Sequence, residues 1–174
     1  MNHTIRPFRV NVGFLINQPA GFQREIPFEH ESYVLDEDCP MENLRGTITL
    51  ARTLNGVRSL SDVHAKHTVE CGKCLDQFAL SIHSEFEEIF TFTNRPLSEE
   101  EAIIPEDGNI DFEPIIREYL LLEIPFTPVC KPDCKGLCSV CGKNLNKKSC
   151  EHQEANLETD NETPFFNLKQ LSSR

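Results

Sequence analysis

Seven of the eight cysteines in this chain fall into two groups, Cys71 and Cys74 in one, and Cys130, Cys134, Cys138, Cys141 and Cys150 in the other, with His152 just beyond. Together these residues supply eight candidate ligands, enough for two closed four-coordinate sites of the kind that Zn²⁺ forms with Cys and His. Two thiolates separated by two residues grip one ion only where the backbone turns sharply between them, and Gly72 and Gly142 are placed to allow such turns.

The compartment decides between metal and disulfide. The opening MNHTIRPFRV has no apolar run behind a basic start, and nowhere do about eighteen apolar residues run together, so neither a secretory signal nor a membrane span is expected and the protein is expected in the cytosol. A reducing cytosol disfavours structural disulfides, which makes metal ligands the first reading of CxxC pairs and redox thiols the competing one. Cys39 has no partner nearby in sequence and reads as a small buried hydrophobe.

The chain's 174 residues fit one domain with a substantial core, with room for a small appendage. Its net charge of −11 is uneven, reaching −10 within residues 82–123 and +4 within 124–150. The acidic stretch repels phosphate or attracts a basic partner, unless it is only solvated surface. Lys131, Lys135, Lys143, Lys147 and Lys148 put a modest positive cluster on the cysteine-rich segment. Seven thiolates around two Zn²⁺ ions would carry −3 and nearly cancel it.

Most of the remaining signal is strand. Phe8 to Leu15 and Arg24 to Phe28 read as extended segments separated by Asn17, Pro19 and Gly21. Leu44, Gly46, Ile48 and Leu50 alternate with Arg45, Thr47 and Thr49 at period two, and Asn55-Gly56 offers the pair favoured by a two-residue hairpin turn. Val63, Ala65, His67 and Val69 share one strand face before Cys71. Phe78, Leu80, Ile82, Phe86, Phe90 and Phe92 share one after Cys74. The CGKC turn therefore sits at the tip of a strand pair with its sulfurs projecting past the sheet. His64, His67 and His83 read as ordinary strand residues, because none has metal-ligand spacing to a second candidate. Thr93 to Asn109 reads as a polar loop. Asp111 is placed to cap a helix carrying Phe112, Ile115, Ile116, Tyr119 and Leu120, which Pro125 ends.

These readings give an α+β, mainly β fold: an antiparallel twisted sheet or partial barrel with one covering helix and a Cys-rich zinc-binding C-terminal segment. Residues 1–126 are expected to form the β-rich core with its helix, 127–153 a zinc-binding loop docked on it, and 154–174 a polar linker with a short C-terminal helix. Two ligand partitions are open. In one, Cys71, Cys74, Cys130 and Cys134 share an ion while Cys138, Cys141, Cys150 and His152 close a local loop around another. In the other, the two CxxC turns pair with each other and leave Cys130, Cys134, Cys150 and His152 for the second ion. The first closes fewer long loops and is preferred.

The segments LINQPAGFQREIPF, VECGKCLDQF and PVCKPDCKGLCSVCGKNLNKKSC followed by TPFFNLKQL span nearly the whole chain. In their order and motifs they resemble the YceD family of large ribosomal RNA subunit accumulation proteins. CKGLCxxCGxNLN after CxxCLxxF is the specific part. His152 departs from the resemblance, standing where cysteine is expected in many relatives, and His can replace Cys at zinc without changing the geometry. The resemblance implies a non-enzymatic factor in large ribosomal subunit biogenesis, with metal as a structural brace. It also implies a large-subunit precursor as partner, met through a basic ribosomal protein, rRNA or both.

The residues themselves show no Gly-rich phosphate loop, nucleophile elbow or HExxH, and Glu87/Glu88 read as a solvated strand edge. No small-molecule substrate and no membrane partner are expected. Two other classes stay open. A thiol-redox or metal-handling protein would use its CxxC pairs, although a thioredoxin-like CxxC opens a helix and Cys71 leads to a strand. A general nucleic-acid-binding zinc module would want a stronger basic footprint than a pI near 5.0 and a lysine cluster without interleaved aromatics provide.

Overall fold

The alternation read from the sequence becomes four long strands in the computed structural model, which describes residues 7–35, 39–92 and 101–153. The chain divides into two compact units, one drawn from Met1–Val69 and Ala79–Phe126, the other from Glu70–Phe78 and Thr127–Arg174. The first contains β1 (Arg9–Asn11), β2 (Gln23–Leu35), β3 (Cys39–Arg52), β4 (Gly56–Glu70), β5 (Gln77–Thr91), β6 (Glu101–Ile103), β7 (Asn109–Asp111) and α1 (Glu113–Leu122). The ends of β4 and β5 carry the chain into and out of the second unit. Strands β2 to β6 form one open sheet in sequence order, antiparallel where β2 meets β3 and β3 meets β4, and parallel where β6 joins β5. β1 pairs with β7 in a separate two-stranded sheet.

Burial follows period two. Leu44, Ile48 and Leu50 on β3, Val57, Val63 and Ala65 on β4, and Ile82, Phe86 and Phe90 on β5 enter the core. Arg45, Arg58, Asp62, His64, His83, Glu85 and Glu87 take the other face. β2 lies at the sheet edge and carries Glu25, Pro27, Glu29 and Glu31, residue types that discourage further strand addition. Between Glu42 and Arg45 the β3–β4 register shifts, and Asn43 takes a left-handed φ of 49° to make the bulge.

Helix α1 covers the inner face. Asp111 Oδ1 accepts the Glu113 N–H at 3.1 Å and Pro114 occupies the first turn, so the helix starts where its backbone donors are otherwise unpaired. Phe112, Ile116 and Leu120 are buried at four-residue spacing, each removal from water contributing about 1.5–3 kcal/mol. Tyr119 stacks on Phe86 of β5 at 4.1 Å and donates to Glu88 Oε1 at 2.9 Å, while Tyr33 of β2 donates to Glu113 Oε2 at 3.2 Å. Cys39 is buried in this core.

Four local details depart from the sequence reading. The first extended segment is only three residues long, because Asn11 Oδ1 accepts the Gly13 N–H at 3.0 Å and turns the chain into a 3₁₀ turn over Gly13–Leu15. The second extended segment runs on to Leu35, held by pairing with β3 from Gln23 to Leu35 that skips only Glu31. The β3–β4 turn is Thr53–Leu54–Asn55, with Thr53 Oγ1 accepting the Gly56 N–H at 3.0 Å, and neither Asn55 nor Gly56 has positive φ. Gly56 is required for space instead, since a Cβ there would lie 1.8 Å from the Phe90 carbonyl oxygen. Within the polar stretch 93–109, Glu101–Ile103 adds to the sheet beside Ile89–Thr91, while 93–100 lie outside the described residues. The expected C-terminal helix in 154–174 also lies outside them.

Candidate metal centres

Among its described residues, the second unit buries few apolar side chains. Its buried cluster consists of Cys71, Cys74 and Cys134, with Phe78, Val129 and Cys130 packed against it, so cysteine stands where larger domains place leucine. The Cys71 N–H bonds to the Asp76 carbonyl at 2.9 Å and the Leu75 N–H to the Cys71 carbonyl at 2.9 Å, which closes the CGKC turn. Leu75 has a φ of 59°. Gly72 donates to the Pro128 carbonyl at 2.8 Å, and a Cβ on it would come within 2.5 Å of Thr127 Cγ2.

The Sγ atoms of Cys71, Cys74, Cys130 and Cys134 all lie within 4.8 Å of one another. Cys71 and Cys134 are 3.9 Å apart, and Cys74 and Cys130 3.7 Å apart. A tetrahedral ion with metal–sulfur bonds of about 2.3 Å needs sulfur–sulfur edges of about 3.8 Å, so the spacing fits a four-thiolate site. Cys138, Cys141, Cys150 and His152 form a second group under the same distance limit. There the Cys138 N–H bonds to the Lys143 carbonyl at 2.8 Å and the Gly142 N–H to the Cys138 carbonyl at 2.9 Å. Gly142 takes a φ of 68°, the left-handed residue that this knuckle requires. The groups differ in depth: Cys71, Cys74 and Cys134 are buried, whereas Cys141 and His152 are exposed.

The thiols also differ in acidity. The Cys130 N–H, 3.4 Å from Cys71 Sγ, is the main reason the Cys71 pKa falls to about 6, with the Cys74 and Lys73 N–H groups assisting. The Cys141 and Val140 N–H groups bring Cys138 to about 6 in the same way. Burial pushes Cys130 up to about 12. Each group thus contains a thiol ready to ligate and others whose protons a dication must displace.

Two residues to which the sequence reading gave no role support the first group. Asn146 Nδ2 donates to Cys134 Sγ at 3.3 Å, while its Oδ1 accepts the Lys135 N–H at 2.9 Å. Asn144 Nδ2 donates to the Cys74 carbonyl at 3.3 Å and to Asp76 Oδ2 at 2.8 Å, and Lys147 Nζ reaches Asp76 Oδ1 at 2.6 Å. The lysine ammonium beside it is the chief cause holding Asp76 below the usual carboxylate range. The only signal for these asparagines was the NLN string between Cys141 and Cys150. His67 Nδ1 lies 2.9 Å from the Pro40 carbonyl, whereas His64 and His83, 19 positions apart in sequence, stack on each other at 4.0 Å in the first unit.

Fold and site together define a mainly β protein with a Cys-rich unit whose two four-ligand clusters can hold metal ions. Residues 44–172 match the family of large ribosomal RNA subunit accumulation protein YceD, and the chain belongs to that family. An uncharacterised protein of Mycobacterium tuberculosis is 31% identical over 134 residues, 75% of this chain and 60% of that protein. The chain therefore spans about 60% of the length of that relative. The large ribosomal RNA subunit accumulation protein YCED homolog 1, chloroplastic, of Arabidopsis thaliana is 47% identical over 47 residues, 27% of this chain and 15% of that protein. Its Zea mays counterpart is 45% identical over 53 residues, 30% and 18% of the respective chains. No solved structure matches the chain. Among the described residues, no helix is long and apolar enough to cross a membrane.

Proposed function

We propose that this chain promotes accumulation of large-subunit ribosomal RNA as a non-enzymatic binding protein whose second unit is braced by two structural Zn²⁺ ions. The observation that carries the reading is the family match across 44–172, which includes all of the second ligand group and two cysteine pairs of the first. Zinc is the ion that suits four thiolates, or three thiolates and an imidazole, in tetrahedral spacing. With four protein ligands each site has no open position for a reacting water, which favours a brace over hydrolysis. Contact with a large-subunit precursor falls to the exposed lysines of the second unit for RNA and to the carboxylates of the first for a basic ribosomal protein. Lys147 is already engaged by Asp76, which leaves Lys135, Lys143 and Lys148 as the better RNA candidates.

Deleting the gene should lower large-subunit rRNA relative to small-subunit rRNA. The wild-type chain should restore it, and one carrying both Cys71→Ser and Cys138→Ser should not. An unchanged rRNA ratio on deletion would remove the ribosomal reading. The low Cys71 and Cys138 thiols favour a thiol-exchange reading chemically. Their burial, with 0% and 3% of each residue exposed, opposes it. Metal-free protein with a reversible Cys71–Cys74 disulfide would reinstate that reading.

A further inference from the structure

On the solvent face of the first unit's sheet, three side chains from neighbouring strands converge. Asp62 and His64 stand two residues apart on β4, and His83 on β5 lies beside them. His83 Nε2 is 2.9 Å and His64 Nε2 3.2 Å from Asp62 Oδ1, and the imidazole rings are parallel within 4°. We propose that Asp62, His64 and His83 form a third metal site, open to solvent and suited to a divalent transition ion of the zinc type. This proposal is independent of the ribosomal reading and of the cysteine clusters.

The ligand-atom separations fit an ion without rebuilding the sheet, once the parallel rings tilt about their side-chain bonds so that both in-plane lone pairs converge on it. Ligand atoms about 2.0–2.1 Å from a tetrahedral ion stand about 3.3 Å apart, close to the two nitrogen–oxygen separations observed. Two imidazoles and one carboxylate are the donor set that zinc accepts when a fourth position is left for water or an incoming ligand. All three side chains are close to half exposed, so the site can fill from solvent. The strands also fix the backbone positions of the ligands. His64 faces Arg45 in register just after the bulge at Asn43, and the guanidinium of Arg58 holds the Glu87 carboxylate across β4 and β5, with one contact at 2.7 Å.

Charge around the site is balanced. Glu85, whose Oε1 is 3.7 Å from His83 Nε2, adds a second carboxylate within reach of the ion. Arg45 and Lys66 line the groove on the His64 side and oppose it. Two nearby cations predict modest affinity, and removing one should tighten binding.

The test uses the full chain, purified under reducing conditions and saturated at its tightest sites with Zn²⁺, to which further Zn²⁺ is added. One additional equivalent should bind by calorimetry, and the ring signals of His64 and His83, but not of His67, should move in NMR spectra. His64→Gln and His83→Gln should each weaken that equivalent at least about tenfold, since even losing a group that only orients a ligand costs 10–100-fold. Arg45→Gln should strengthen it, and His67→Gln should leave it unchanged. Because His83 is exposed and His64 is half-buried on the solvent face, circular dichroism should report an intact fold. The NMR arm needs no variant. No further binding up to about 1 mM Zn²⁺ would overturn the proposal. So would ring signals that stay still, or an extra equivalent bound equally well by the chain carrying both His64→Gln and His83→Gln.

Discussion

Asn146→Asp separates the two cysteine clusters with an almost isosteric change. In the native chain the Asn146 amide nitrogen donates to Cys134 Sγ at 3.3 Å and to Asn144 Oδ1 at 3.1 Å, while the carbonyl accepts the Lys135 N–H at 2.9 Å. Aspartate keeps the acceptor, so the Lys135 turn is retained. It loses both donations and turns a carboxylate oxygen toward a thiolate. Losing a partner that orients a metal ligand costs 10–100-fold in affinity, or about 1.4–2.8 kcal/mol. That loss should fall on the site of Cys71, Cys74, Cys130 and Cys134 alone, because the Asn146 side chain bonds to Cys134, Lys135 and Asn144 and so touches only that site's ligands. Competition with a chelator should therefore resolve one zinc released at about 10–100-fold lower chelator strength and one unchanged. Hydrogen exchange should speed up in 71–76, 130–136 and beside the substitution, but not in the 138–142 knuckle. Equal weakening of both ions, or exchange confined to 138–152, would refute the partition and the assigned role of Asn146.

Cys138→Ser should reduce bound zinc from two ions per chain to one, as read by metal analysis, with the Cys71 group still loaded. Gly142→Asn should be tolerated, because its φ of 68° suits asparagine and nothing lies within 4 Å of the added Cβ. Gly136→Asn should cost more zinc affinity, because at φ 73° its Cβ would meet the Lys73 carbonyl oxygen at 3.1 Å. Asp107 is held below the usual carboxylate range, first by the Asn109 N–H at 3.0 Å and further by Arg9. Its stabilisation is thus complete above the unfolded value near 3.9 and is lost as pH falls through the lower folded value. The stability difference between wild type and Asp107→Ala in urea should stay constant from neutral pH down to about 5 and close below about 4.

Much of this molecule was legible in local sequence. Strand faces follow from period two, so Leu44, Ile48 and Leu50, or Ile82, Phe86 and Phe90, could be assigned to the core before any pairing was known. The covering helix followed from four-residue spacing and the Pro125 stop; cysteine spacing left two groupings open, and loop closure preferred the one that the structure brings together. Cysteine ligands announce themselves because CxxC is a local geometry. Turn chemistry was less legible. Gly56 looked like a turn residue, but what constrains it is the Phe90 carbonyl, 34 positions away in sequence.

Asn146, Asn144 and the Asp62, His64 and His83 group were decided only by tertiary structure. Asparagines in a polar string carry no periodic or spacing signal, and their role appears only when a folded turn aims the amide at Cys134 and at Asp76. His64 and His83 fail every spacing rule for metal ligands because those rules describe a single turn of chain. Two strands running side by side bring any pair of residues together at a distance fixed by the sheet rather than by the residues between them. Sequence thus determined which residues face the core and which thiols pair within one turn, since both depend on geometry within a few residues. Strand register determined the rest, because it is set by packing along whole strands and no short segment contains it.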